Sequence, residues 1–332
     1  MKTLLKMSPV GKCVLAAAAV ALSFAAAAPQ AFAQDYPNRS VKIVVPFPAG
    51  GTADAVPRLI SEFLSRKWGQ AVVIENKTGA AGNIGAESVF NSDPDGYTLL
   101  SAPPPPLVIN QSLYPKLNYD ATQFVPIVIL ARVPNALLVN PQKVPQNTLA
   151  EFIANAKANP GKITSATQGN GTTSHLTSEM FQMMAGVKFQ HVPYRGSAPA
   201  LQDLVAGSVD VMFDNLGSSL ALVNGGQLKL VAVATVKPMA ALPKVPTIAA
   251  TLPGFEATAW FGVVAPPKTP PEIVKKINAD INEALKQPEI IARLDAMAAE
   301  TVGGTPEQTG AYMREEVERW RKVIVAASVT LN

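Results

Sequence analysis

Apolar positions near the start of the chain alternate between strand-like and helix-like periods. Val41, Ile43, Val44 and Val45 form a β-branched run that predicts a strand and ends in Pro46-Phe47-Pro48. Val56, Leu59, Ile60, Phe63 and Leu64 then recur at helical spacing and predict a helix over residues 54–66. Pro57 fits only a first helical turn, so the N-cap is expected at Ala53 or Asp54. Residues 71–75 predict a second strand and 83–90 a helix. A turn at Asp93-Pro94-Asp95-Gly96 leads to a third strand over 97–100. This alternation argues for a parallel, doubly wound α/β unit.

A similar cycle restarts near Ala136, with strands over 137–139 and 162–165 and a helix over 148–158 between them. A helix over 175–184 follows, and His191-Val192-Pro193-Tyr194 leads into another over 197–206. Residues 209–213 predict a strand ending at Asp214-Asn215, and 228–234 predict one more. The end of the chain reads as helical. Thr269-Pro270-Pro271-Glu272 opens a helix carrying Ile273, Ile277, Ile281 and Leu285. Thr305-Pro306-Glu307-Gln308 has the form of a capping box with proline at the first helical position. The stripe Met313, Val317, Trp320 and Ile324 behind it is assigned to core docking.

Two junctions carry the candidate chemistry. Ala49-Gly50-Gly51-Thr52-Ala53-Asp54 and Gln168-Gly169-Asn170-Gly171-Thr172-Thr173 each join the carboxyl end of a strand to a helix. Ligands of open α/β sheets bind at such places. Glycine lets backbone approach a ligand, and the first N–H groups of a helix are unpaired and favour an anion. One reading is therefore a carboxylate or phosphate site made largely of backbone; the other is a pair of tight βα turns. One junction in each half suggests two lobes facing a cleft.

Residues 1–33 read as a leader rather than as part of the fold. Lys2, Lys6 and Lys12 precede an apolar run, and Ala31-Phe32-Ala33 resembles a cleavage site, so an exported, periplasmic protein is expected. Of 28 basic and 24 acidic residues, those three lysines lie in the leader, which leaves the remainder nearly neutral. No basic run or basic-aromatic stripe appears, so nucleic acid is not an expected partner. The lone Cys13 also lies in the leader, which removes disulfides, a thiol nucleophile and thiolate metal sites from consideration. With 48% hydrophobic but only 6% aromatic residues, the composition suits an aliphatic α/β core.

Over nearly its whole length after the leader, the chain resembles the Bug-type substrate-binding proteins of tripartite tricarboxylate transporters. The resemblance rests on Val45-Pro46-Phe47-Pro48-Ala49-Gly50-Gly51-Thr52-Ala53-Asp54, Gly79-Ala80-Ala81-Gly82-Asn83-Ile84-Gly85 and Pro94-Asp95-Gly96-Tyr97-Thr98-Leu99-Leu100. It extends through Gly169-Asn170-Gly171-Thr172-Thr173-Ser174-His175-Leu176, His191-Val192-Pro193-Tyr194-Arg195-Gly196 and Val209-Asp210-Val211-Met212-Phe213-Asp214-Asn215. Each motif is weak alone, but their number and order are specific. The resemblance implies a two-lobed, type II-like periplasmic binding protein fold. Each lobe would be a doubly wound, mostly parallel sheet. Residues 34–133 and 259–332 would form one lobe and 134–258 the other. It further implies a monomeric receptor that carries a small carboxylate to membrane transporter subunits, with no cofactor and no metal.

Carried over residue by residue, Ala49, Gly50, Gly51 and Thr52 would form one pincer on the carboxylate, with Phe47 and Pro48 as further ligand contacts, and Asp54 would position a water. Gly171, Thr172 and Thr173, with Asn170 nearby, would form the other, and Gln168 and His175 are further candidate ligand contacts. Ser101 and Ala102 lead from the third strand toward Pro103, Pro104, Pro105 and Pro106, a loop expected at the cleft. Many relatives have a small hydroxyl residue where Gln168 stands, a lysine at Arg195, and a more polar loop at the proline run. A rigid, donor-poor wall there hints at a flat or hydrophobic ligand, such as an aromatic mono- or dicarboxylate.

Other residues have quieter readings. Asp54 also suits an N-cap, and Asp214 and Asn215 suit either a ligand contact or a satisfied turn. Arg195 fits a surface ion pair better than a second carboxylate seat, although the latter is available to it. Trp260 reads as hinge packing, His191 as structural, and Gly79, Gly82 and Gly85 as turn and close packing. A catalytic role for His175 is not expected, because an exported hydrolase would need a nucleophile with a positioned base and none stands at suitable spacing. A sensory adaptor presenting the same ligand to a membrane kinase would look identical in sequence.

Overall fold

In the computed structural model, residues 36–330 are described, so the leader and its cleavage site lie outside the described residues. The chain divides into a short unit, Met1–Asn38, and a long one, Arg39–Asn332, to which the following applies. Its strands are β1 (Val41–Val45), β2 (Val72–Asn76), β3 (Thr98–Ala102), β4 (Val125–Val139) and β5 (Ile163–Thr167). They continue as β6 (Phe189–Pro193), β7 (Val211–Asn215), β8 (Lys229–Val233), β9 (Thr258–Ala265) and β10 (Glu300–Gly303). All join one sheet of order β2-β1-β3-β9-β4-β7-β5-β6, with β8 and β10 pairing to β4. Strands β2, β1 and β3 are mutually parallel, as are β7, β5 and β6. These are the two doubly wound groups anticipated from the hydrophobic pattern.

The antiparallel strands between those groups were largely missed. β4 is fifteen residues long. Its Val125–Pro134 stretch pairs with β9 and β10, and its stretch from Asn135 to Val139 pairs with β7 and β8. Only residues 137–139 had been expected as strand. Buried on both faces, the rest of β4 is an almost unbroken apolar run with no alternation to mark it. The helices Leu216–Asn224 and Pro288–Asp295 were also not anticipated.

Several boundaries move for identifiable reasons. The first helix is Thr52–Trp68 with Gly51 at its N-cap, so Asp54 stands inside the first turn instead of capping it. Pro57 consequently falls past the first turn and leaves the Ala53 carbonyl without its helical donor. Ser101 and Ala102 belong to β3, paired with Val263 and Gly262 of β9. Of the proline run, Pro103 lines a small space between the two halves. Pro105–Ile109 forms a wide helical turn, all four prolines are buried, and Pro106 packs beside Gly82.

Packing follows the sheet. Phe152, Phe181, Phe189, Phe213 and Phe255 fill the core of the second half. The final helix, Pro306–Ala326, begins with the expected capping box of Thr305 and Gln308, a feature that stabilises by about 1 kcal/mol. It buries Met313, Trp320 and Ile324 beside Trp260. Glu316 accepts both indole N–H groups, from Trp260 at 2.9 Å and Trp320 at 3.0 Å, which ties this helix to β9.

Candidate functional site

The first junction begins where β1 delivers Pro46, Phe47 and Pro48. Gly50 turns the chain at φ +91°, a conformation that side chains rarely adopt. The Asp54 and Ala55 N–H groups both donate to the Gly51 carbonyl, whereas the N–H groups of Gly51, Thr52 and Ala53 meet no acceptor among the described residues. The Gly50 N–H differs from the expected pincer, since it donates to Asp54 at 3.3 Å. That carboxylate also receives Arg58 Nε at 2.9 Å, Arg58 Nη2 at 2.8 Å and Asn76 Nδ2 at 2.9 Å. Burial alone would raise the Asp54 pKa, but the bonds from Arg58, Asn76 and Gly50 outweigh it and lower the value. Asp54 is thus a fixed anion that shapes the loop. Close by in sequence and fold, the hydroxyls of Thr52 and Ser101 are buried without a partner.

The second junction has the same construction. Gly169 (φ +123°) and Gly171 (φ +78°) turn the chain from β5 into the helix Thr173–Ala185, whose N-cap is Thr172. The Thr172 hydroxyl accepts from the His175 N–H at 3.4 Å and donates to the Gly169 carbonyl at 2.7 Å. The N–H groups of Thr173 and Ser174 find no acceptor among the described residues. The Gly171 N–H does: it donates to His175 Nδ1 at 3.2 Å, which requires the proton of the neutral imidazole to sit on Nε2. His175 stacks on His191 at 4.3 Å between ring centroids, and burial, with a smaller contribution from His191, lowers its pKa to about 4. Burial also lowers the pKa of His191, whose Nε2 lies 2.7 Å from the Thr167 hydroxyl. This geometry braces the loop with an uncharged ring.

Gln168 projects from the second junction into a polar cluster. Its Nε2 reaches Asp214 Oδ1 at 2.5 Å, Ser197 Oγ at 2.9 Å and Asn215 Oδ1 at 3.0 Å. Asp214 is completely buried and also accepts from Ser197 at 3.0 Å and Ser218 at 2.6 Å. Its burial raises its pKa against the lowering effect of those bonds. Asn215 continues the cluster to Asn135 at 2.6 Å, and Asn135 donates to Thr177 at 2.6 Å.

The halves meet over two spaces. A small one of about 20 Å³ is bounded by Phe47, Pro48, Gly51, Thr52, Ala53, Pro103, Gln168, Gly196, Ser197 and Asn215. An open one of about 550 Å³ lies against Phe47, Pro48, Tyr114, Gln168, Asn170 and Arg195 and the loop of residues 78–82. Of the residues singled out in the sequence, Phe47, Pro48, Gly51, Thr52, Gly79, Gly82, Pro103, Gln168, Asn170, Arg195 and Asn215 line these spaces. Gly171, Thr172, Thr173, His175, Ser101, Ala102, Asp54 and Asp214 are buried and line neither, while Ala49 and Gly50 are exposed and also line neither. Arg195 is exposed and makes no ion pair with a described residue, contrary to its expected surface pairing. Trp260 is fully buried, in keeping with a packing role.

Sequence reasoning missed Tyr114, Gly196 and Ser197. The Gly196-Ser197 step into a helix repeats the signal that marked the other junctions and could have been read. Tyr114 carries no such signal. Among the described residues, no group of three or more His, Cys, Asp or Glu could hold a metal ion, and no helix is long and apolar enough to cross a membrane.

Residues 56–329 match the family model described as the tripartite tricarboxylate transporter family receptor. Protein BugT of Bordetella pertussis is 36% identical over 314 residues, which cover 94% of this chain and 96% of BugT. Among solved structures, Rpa4515 of R. palustris with adipate has a TM-score of 0.86 at 39% identity, covering 89% of this chain and 99% of that one. MatC (Rpa3494) from Rhodopseudomonas palustris with bound malate has a TM-score of 0.82 at 34% identity, covering 87% and 100%. The fold is that of a periplasmic binding protein, and the chain belongs to the Bug-type solute-binding receptors of the tripartite tricarboxylate transporter family.

Proposed function

We propose that this protein is an exported, monomeric periplasmic receptor that closes on a small carboxylate and passes it to membrane subunits of a tripartite tricarboxylate transporter. The lobes are residues 34–133 with 259–332, and residues 134–258, hinged where β4 and β9 cross. The observation that carries this reading is the first helix start. Three backbone N–H groups and the Thr52 hydroxyl lack partners where the two halves meet. Each buried polar group left unpaired costs about 1–3 kcal/mol, so a carboxylate presenting two acceptor oxygens there relieves an existing cost. The helix dipole adds to the attraction.

The ligand body lies in the open space, where Phe47, Pro48, Tyr114 and Tyr194 present apolar and aromatic walls suited to a flat or aromatic acid. Arg195 receives a second carboxylate when the ligand has one. The adipate of Rpa4515 and the malate of MatC support the carboxylate class.

A thermal-shift screen against aliphatic and aromatic mono-, di- and tricarboxylates tests this assignment. A ligand at 100 times its dissociation constant adds about 2.7 kcal/mol, visible as a raised melting temperature. A shift confined to carboxylates is expected. No shift with any of them, in protein shown by mass spectrometry to be ligand-free, would refute the carboxylate assignment. Aliphatic dicarboxylates binding far more tightly than aromatic acids would refute the aromatic body.

A further inference from the structure

The two spaces at the junction share four lining residues: Phe47, Pro48, Gln168 and Gly196. Those four therefore face both spaces. Three of them are fixed by packing. A Cβ on Gly196 would crowd the Pro48 ring at 3.1 Å, and one on Gly82 would meet the Phe47 ring at 3.3 Å. Gln168 is the one long polar side chain among the four, and its amide nitrogen shares two N–H groups among Asp214, Ser197 and Asn215, with Asp214 completely buried behind it.

The geometry points to Gln168 as the residue that determines ligand size, a partition that leaves the inner space at the first helix start to the carboxylate and confines the ligand body to the outer cavity. The inference rests on the carboxylate-receptor reading and extends it from ligand class to ligand length. A side chain anchored in this way costs more to move than a free one, because displacing Gln168 would take a donor from Asn215 Oδ1 and from the buried Asp214, which would keep Ser197 and Ser218. The partition is therefore rigid, and length discrimination follows from it. Removing the carboxamide joins the two spaces.

The experiment is a calorimetric titration of wild type, Gln168→Ala and Gln168→Asn with unbranched dicarboxylates from malonate to suberate and with terephthalate. Folding is checked by melting. Misplacing or freeing one methylene in a pocket changes affinity by about tenfold or more. In Gln168→Ala the affinity ratio of the longer to the shorter ligands should rise about tenfold, and in Gln168→Asn by less. An unchanged ratio in both variants, with affinities that merely fall together, would overturn the partition while leaving the receptor reading intact. Binding of none of these ligands by any of the three proteins would overturn the receptor reading and this inference together. If Gln168→Ala does not fold, the Gln168→Asn ratio decides: a rise supports the partition and no change refutes it.

Discussion

Gly196 meets Pro48 so closely that a Cβ on the glycine would lie 3.1 Å from the proline ring. The glycine also holds φ +113°, which L side chains rarely adopt. These two residues follow strands from different halves of the sheet, β1 and β6. Gly196→Ala should cost about 1–3 kcal/mol through backbone strain and further obstruct the close approach. A lower melting temperature together with weaker ligand binding is expected; unchanged binding would show that the contact is not needed for the liganded state.

Thr52 separates a binding role from a structural one. Its hydroxyl is buried without a partner, so Thr52→Val should leave the melting temperature of the ligand-free protein unchanged or slightly raised. Affinity for a carboxylate should nonetheless fall by about 1.5 kcal/mol, close to tenfold, the value of a hydrogen bond to a charged group. A large loss of stability with unaltered affinity would contradict the assignment.

Arg195 tests for a second carboxylate seat. Charged hydrogen bonds are worth about 1.5–3 kcal/mol, so Arg195→Ala should weaken a dicarboxylate by roughly ten- to a hundredfold and leave the matching monocarboxylate little changed. Comparable titrations of such a pair, for example terephthalate and benzoate, provide the measurement. Equal losses for both would show that Arg195 acts on the loop and not on the ligand.

The acid limb of stability should carry a histidine contribution. Burial takes the His175 pKa from 6.5 to about 4 in the folded protein. Between those values the unfolded chain binds a proton that the folded chain refuses. Stability is therefore full above pH 6.5 and is lost as the pH falls toward 4. The shift corresponds to about 3 kcal/mol, and the depressed His191 adds in the same direction. His175→Asn keeps an acceptor for the Gly171 N–H and removes the titration, so its melting curve should be flatter over this window. An identical pH dependence in variant and wild type would refute the role given to His175.

The parts of the fold visible in the sequence were those with local punctuation. The Gly-Gly junction, the Gly169 to Thr172 turn and the Thr305–Gln308 capping box each fix backbone conformation within a few residues. β4 lacked such marks because strands buried on both faces lose their alternation. Leu216–Asn224 was hidden by Gly217, Ser218 and Ser219, weak helix formers that are accommodated by packing against Thr52 and by hydrogen bonds to neighbouring carbonyls and Asp214. At the site, both loops were legible, but which N–H groups remain available was not. Gly50 and Gly171 had the right sequence for pincer donors, yet Asp54 and His175 already occupy them. Sequence gives the loop; only tertiary contacts decide which donors are spent within it.

Titration calorimetry of the purified protein and of Thr52→Val with the best carboxylate from the thermal screen tests the central claim most directly. The account predicts one binding site in the wild type and an affinity about tenfold weaker in the variant, with both proteins equally stable without ligand. Saturable binding that Thr52→Val leaves untouched would place the carboxylate elsewhere and contradict the account.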